Sequence, residues 1–400
     1  MKKANSRSLG HSMTTKSESH CFRAFLSYSH DDFEIAEWVA AVLCECNVIP
    51  VWDQHLRPGE RFSDAIKDMI GSAHLFIPLL TPKSLQGAWV LQETGYATAL
   101  NIPVLPLAQG VIDKDTIVRE LQAVVFKDID ELREKLKQTN FGRLVRPELS
   151  LPKQICHEAY WPEERTDLIA KYTNLVLNIR GSAAPACKDR PQVRSSGKLL
   201  QAGALSSFCL PDEDLGSPVW TRRDGDQVRS DYYHHLQREE RRALERYARL
   251  EGCRLVLYLG QTYSGRGDEI QARTVRYSRL KTLVESLQSM RDGGCNLEVV
   301  VSDVPHDGNL TIVGDWFLAE SLLPGVGGYR QTLFKWHAPT VFQRIEQFNQ
   351  RFEELRDRKP RKTLAQIIRN IETILKSLKS AGLTPEDGKS PKPKLSARKR

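Results

Sequence analysis

The sequence lacks any run of eighteen uncharged apolar residues, so it offers no candidate transmembrane helix. The opening stretch, MKKANSRSLGHSMTTKSESH, carries charge but no apolar core of the kind a secretory signal needs. It reads as a disordered arm over residues 1–19, and a cytoplasmic protein is expected. Cysteine is sparse: of the eight, only Cys44 and Cys46 lie close together, and C-x-C on a helix points its two thiols in different directions. No CxxC pair or histidine spacing suggests a zinc site, so no metal is expected, and the thiols are expected to be reduced and to act as small apolar residues. Net basic charge is missing from most of the chain as well. Residues 361–400 hold a net charge of +8, which equals that of the whole protein, so the first 360 residues balance to zero. A basic tail rather than a basic globular surface argues against nucleic-acid binding by the main domains. No internal repeat of fixed period is present.

What the chain does contain suits two domains with linkers, given its 400 residues. From Cys21 onward, short apolar runs alternate with amphipathic helices. FRAFLSYS (22–29), VIPVWD (48–53), HLFIPLLT (74–81), IPVLPLA (102–108) and AVVF (123–126) are the expected strands. Between them lie helical patterns at 31–46, 61–73 and 84–100; the first places Phe33, Ala36, Val39, Ala40 and Leu43 on one face. The third strand is almost continuously apolar, as a strand buried on both faces should be. This alternation predicts an α/β fold with a parallel five-stranded sheet between helices. Ligands of such sheets bind beyond the carboxyl ends of the strands. The loops ending SYSHDD, WDQHLRPGE and LTPKS all emerge there, and so border the expected cleft.

Three of these stretches, FLSYSHDD, VWDQHLRPGERFSDAI and LFIPLLTPKSLQGAWVLQETGYA, resemble the signature segments of Toll/interleukin-1 receptor (TIR) domains, especially bacterial ones, in the family's order and at plausible spacing. The resemblance covers about residues 20–145 and implies the flavodoxin-like TIR fold. Enzymatic members of the family hydrolyse or cyclise NAD with a glutamate in a W-x-x-x-E motif, which falls here on Trp89 and Glu93. The resemblance therefore implies NAD as substrate rather than as a resident cofactor. Breaking the nicotinamide–ribose bond builds an oxocarbenium-like centre, which a nearby carboxylate stabilises while it holds the ribose hydroxyls. The leaving nicotinamide is neutral and needs no general acid. At i and i+4, Trp89 and Glu93 share one helix face.

As single residues, Glu93 reads as a solvated helix glutamate, and Trp89 as a core aromatic or an aromatic wall; the resemblance favours the catalytic reading of Glu93. It also carries over substrate contacts to Ser29, His30, Asp53, His55 and Trp89. Ser27 and Tyr28 belong to the same loop, which borders the nucleotide in family members. The alternative for His30, beside Asp31 and Asp32, is a partnered surface histidine. Asp53 and His55 begin the loop that gates the cleft and forms contacts between TIR domains. Arg57 reads as a pyrophosphate contact or as an exposed arginine, Pro58 and Gly59 as turn formers, and Ser84 as a helix N-cap. Gly87 and Ala88 depart from the family, which often has a small polar or basic residue just before the tryptophan.

Residues 146–198 read as a connector ending in a linker rich in Gly, Pro, Ser and charge, GSAAPACKDRPQVRSSGK (181–198). A second α/β domain is expected over 199–358, with helices at 233–250, 269–290 and 339–357 and strands at 254–260, 296–303, 309–314 and 329–336. Its PHDGNLTIVGDWF resembles half of a phospholipase D motif through His306 and Asp315, but Gly308 replaces the motif's lysine and the aspartate spacing is wrong. YSGRG (263–267) lacks phosphate-loop spacing and reads as an ordinary loop. Arg266, Arg273, Arg276 and Arg279 read as a solvated helix face or a basic patch. The tail, 359–400, contains an amphipathic helix with Leu364, Ile367, Ile368, Ile371, Leu375 and Leu378 on one stripe. That stripe suits either docking on the second domain or self-association. The expected protein is a cytosolic TIR NAD glycohydrolase of signalling or antiphage defence, self-associating through its TIR and C-terminal regions. The alternative is a non-enzymatic TIR adaptor acting through protein contacts.

Overall fold

A computed structural model describes residues 22–53, 62–110, 123–145, 156–181, 197–203, 206–210, 227–260, 269–304, 306, 308–321, 331–336, 338–358 and 362–380. The arm 1–19, His55, Arg57, Pro58, Gly59, most of the 181–198 linker, the stretch 263–267 and the residues after 380 lie outside the described residues. The first sheet follows the alternation of the sequence. It is built from β1 (Phe22–Ser27), α1 (Phe33–Glu45), β2 (Val48–Val51), α2 (Phe62–Ser72), β3 (Leu75–Leu80), α3 (Trp89–Ala99), β4 (Leu107–Gln109), β5 (Val124–Phe126), α4 (Ile129–Gln138) and the short α5 (Phe141–Leu144). The strands are parallel in the order β2-β1-β3-β4-β5, which is a flavodoxin-like sheet. Strand β1 lies between β2 and β3, with Ala24 and Leu26 packed in the α1 cluster and Phe25 turned to the opposite face.

Two elements differ from their sequence patterns for local reasons. The helix expected from residue 84 starts at Trp89, because Ser84 is engaged in closing the preceding turn rather than capping α3. Thr81 N donates to Ser84 Oγ (2.8 Å), and Ser84 N donates to Thr81 Oγ1 (3.0 Å). The strand expected over 102–108 pairs continuously only at Leu107–Gln109, with one isolated bridge from Val104 to Phe76. Pro103 and Pro106 have no N–H to give to a ladder and act only as acceptors, from Phe76 N and Val124 N.

The second sheet has seven strands: β6 (Cys156–Ala159), β7 (Leu199–Gly203), β8 (Cys253–Tyr258), β9 (Leu297–Ser302), β10 (Leu310–Val313), β11 (Phe317–Ser321) and β12 (Thr332–Lys335). Their order is β6-β12-β11-β10-β7-β8-β9; β7, β8 and β9 are parallel and the other pairings antiparallel. Helices α6 (Pro162–Gly181), α7 (Gln227–Glu251) and α8 (Glu269–Asp292) cover one face, and α9 (Ala338–Asp357) covers the other. β6 and α6 come from the span expected as a connector, yet β6 pairs with β12 and α6 packs along α7. The tail helix α10 (Leu364–Ser380) docks on α8, burying Ile367, Ile368 and Ile371. Among the described residues, no helix is long and apolar enough to cross a membrane.

The apolar face of α2 and the helix-covered face of the second sheet merge into one buried cluster. Arg23, near the start of β1, lies in this junction and is 1% exposed. Its guanidinium donates to Asp315 Oδ1 (2.7 Å), Asp315 O (3.1 Å) and Ser72 O (3.0 Å), and it lies 4.2 Å from the centroid of the Trp316 ring. Burial lowers the Arg23 pKa, and the Asp315 carboxylate opposes that shift. Lys171 on α6 adds a bridge to Asp68 on α2 at 3.1 Å. Asp315, half of the phospholipase-like pattern, is thus occupied in joining the two sheets. At Gly308 a Cβ would lie 2.1 Å from Ser321 O, so no lysine fits where that motif needs one. Cys46, Cys209, Cys253 and Cys295 are free thiols as expected, whereas Cys44 is disulfide-bonded, which corrects the expectation of reduced thiols at that position. Cys46 is a free thiol, so the Cys44 bond is made to another cysteine.

Candidate active site

The carboxyl end of β1 meets α3, which packs beside β3. Ser27 ends β1 and is 2% exposed. Its hydroxyl donates to Glu93 Oε2. Glu93 itself is only 6% exposed, which overturns the picture of a solvated helix glutamate. Trp89, one turn earlier, is 39% exposed and hydrogen-bonds to the same carboxylate, so it is a wall of the site rather than a core aromatic. The i, i+4 spacing therefore places both side chains together as expected.

The environment of Glu93 is electrostatically unusual. Burial pushes its pKa up to about 7; the Ser27 hydrogen bond opposes the shift, the Asp53 charge adds to it, and the Trp89 hydrogen bond opposes it. A carboxyl poised near neutrality in a cleft is a frequent mark of a functional group.

Asp53 follows β2 and accepts from Tyr28 Oη at 2.7 Å. His30 Nδ1 lies 3.4 Å from Asp53 Oδ2, with the imidazole 76% exposed. His30 is therefore a partnered surface histidine at the rim, one residue removed from Glu93 through Asp53. Tyr28 packs against Trp52 and Phe33, with ring centroids 5.9 and 6.4 Å away, and this aromatic cluster fixes the ends of β1 and β2. Burial and the Asp53 carboxylate both raise the Tyr28 pKa, so the phenol stays protonated and continues to donate. Ser29 is half-buried at the start of a 3-10 turn (His30–Asp32), where its carbonyl accepts from Asp32 N at 2.7 Å and its side chain makes no capping bond. The serine that reaches Glu93 is Ser27, two residues earlier at the end of β1.

A second polar link holds the loops apart from the chemistry. Thr81 Oγ1 donates to the buried Asp32 carboxylate, and Lys83 Nζ donates to Asp31 O at 2.9 Å. These bonds fasten the β1 loop to the β3 loop. Asp32 and Thr81 carry no sequence signal for this role, because the partners are 49 residues apart. Gly87 and Ala88 are exposed, and a Cβ at Gly87 would meet only Ser84 O at 3.9 Å. Nothing in the backbone there bars the polar residue that the family often carries.

A parallel five-stranded sheet with a buried glutamate at its carboxyl edge, its pKa raised by burial, defines an α/β unit. Residues 24–144 match the family model of the TIR domain, and this part of the chain is a TIR domain. No curated protein matches the chain.

Proposed function

We propose that the protein is a TIR-domain NAD glycohydrolase, cleaving the nicotinamide–ribose bond to release nicotinamide and ADP-ribose or its cyclic form. TIR domains include both NAD-cleaving members and adaptors. The observation that favours the enzyme here is the buried Glu93 carboxylate, held between Ser27 and Trp89 at the carboxyl edge of the sheet. An adaptor has no use for a carboxylate that costs stability and faces a cleft.

In this reading the pyridinium of NAD stacks near Trp89, and its positive charge draws Glu93 toward the ionised form. The C1′–N bond breaks with its electron pair passing to the nicotinamide nitrogen. Glu93 stabilises the oxocarbenium centre and holds a ribose hydroxyl. Water then adds at C1′ and gives up a proton, or the adenine supplies the nucleophile for the cyclic product. Asp53, Tyr28 and His30 line the rim toward the rest of the dinucleotide. The protein acts in the cytoplasm, in signalling or antiphage defence, and works as a self-associated assembly.

The test is nicotinamide release from NAD by the purified full chain over a range of protein concentrations. Release that Glu93→Gln abolishes, with specific activity rising as concentration rises, supports both the chemistry and the assembly. Absence of release at every concentration favours the adaptor.

A further inference from the structure

Along β1, residues 23, 25 and 27 point to the same side of the sheet, by the two-residue period of a strand. Arg23 and Phe25 are buried there, so position 27 faces a core that ordinarily takes an apolar side chain. A serine in such a slot must find an acceptor, because an unpaired buried hydroxyl is costly. The acceptor of Ser27 is Glu93 Oε2. Its place is fixed more firmly than that of the other donor. β1 is hydrogen-bonded on both sides, to β2 and to β3, with Ser27 in register with Pro78. Trp89, by contrast, is the first residue of its helix and more than a third exposed.

We propose that Ser27 is the positioning residue of the site: its hydroxyl pins one oxygen of the Glu93 carboxylate and presents the group, as an anion, to the substrate ribose. This rests on the glycohydrolase reading for its functional meaning. The contact with Glu93 stands independently of that reading. When substrate enters, Trp89 is the donor that can turn away, leaving the second oxygen to the ribose hydroxyl while Ser27 holds the first. Loss of the Ser27 hydroxyl removes a donor from a carboxylate already deprived of water, so protonation becomes easier.

The experiment uses the full chain in three forms: wild type, Ser27→Ala and Ser27→Thr. Carbon-13 NMR of labelled glutamate carboxyls follows the titration of Glu93, with Glu93→Gln identifying its resonance. In parallel, the pH dependence of kcat/KM for nicotinamide release is recorded. Ser27→Ala is expected to move the Glu93 midpoint up by about one pH unit, lowering kcat/KM about fivefold near about pH 7 and about tenfold well below it. At about pH 9, where the group ionises in either form, the loss shrinks to within about threefold. Ser27→Thr keeps the hydroxyl and retains the wild-type titration. An unmoved midpoint in folded Ser27→Ala overturns the proposal, as does an activity loss equal at every pH. If Ser27→Ala does not fold, Ser27→Cys, a weak donor of similar shape, takes its place with the same criteria. If wild type releases no nicotinamide, the glycohydrolase reading fails, while the titration still decides whether Ser27 holds Glu93 in its anionic form.

Discussion

Glu93→Gln removes a charge that the fold holds almost out of water, and its effect on stability can be worked out from the titration. The carboxyl titrates at about 7 in the folded protein against an ordinary value of 4.5. Because the folded value is the higher, the unfolded chain loses its proton first, and stability falls as pH rises between those two values. Below the lower value both states are protonated and nothing is lost; above the higher value the penalty is constant. At about 1.4 kcal/mol per pH unit, the ionised carboxylate costs roughly 1 kcal/mol at about pH 5 and on the order of 3 kcal/mol at about pH 8. Glutamine keeps the shape and still accepts from Ser27, but it has no charge to bury. The variant should therefore be more stable than wild type, and the margin should widen by roughly 2 kcal/mol between about pH 5 and about pH 8. Urea unfolding of both proteins at the two pH values, compared at equal m, measures this directly. A margin that stays flat with pH, or a variant that becomes relatively weaker in alkali, would refute the account of Glu93 as a desolvated carboxylate.

The same substitution, or Glu93→Ala, should lower nicotinamide release on the order of a hundredfold or more, as loss of a single electrostatic stabiliser does; turnover within a few-fold of wild type would remove Glu93 from the mechanism. Asp315→Ala leaves the buried Arg23 guanidinium without its counter-charge and should destabilise the chain by about 3–5 kcal/mol. Combining it with Arg23→Met should recover much of that loss, whereas additive losses in urea unfolding would mean that the two do not act as a pair. Ile371→Ala empties a fully buried position on α10 and should cost about 2–5 kcal/mol, with faster proteolysis after residue 358. If cleavage there does not change, α10 is not held on α8 in solution.

The sequence by itself determined the first sheet, because its pattern is local. Uninterrupted apolar runs such as LFIPLL read as strands buried on both faces, and the helices between them carry one-sided stripes. It also determined that Trp89 and Glu93 share a face, since i, i+4 spacing is a property of the helix alone. The tertiary structure decided what no window of sequence contains. β6 and β7 are short, and their character as strands comes from pairing with β12, β8 and β10, up to 179 residues away. β11 follows β10 after the tight turn Gly314–Asp315–Trp316 and takes its character as a strand from antiparallel pairing with β10 and β12. The burial of Glu93, and with it the raised pKa, depends on the distance-independent fact that β1 ends against α3, which brings Ser27 to a residue 66 positions away. The pairing of Arg23 with Asp315 across 292 residues belongs to the same class. Periodicity reports which side of an element avoids water, but only the assembled fold chooses the partner on that side, and a charge takes its properties from that partner.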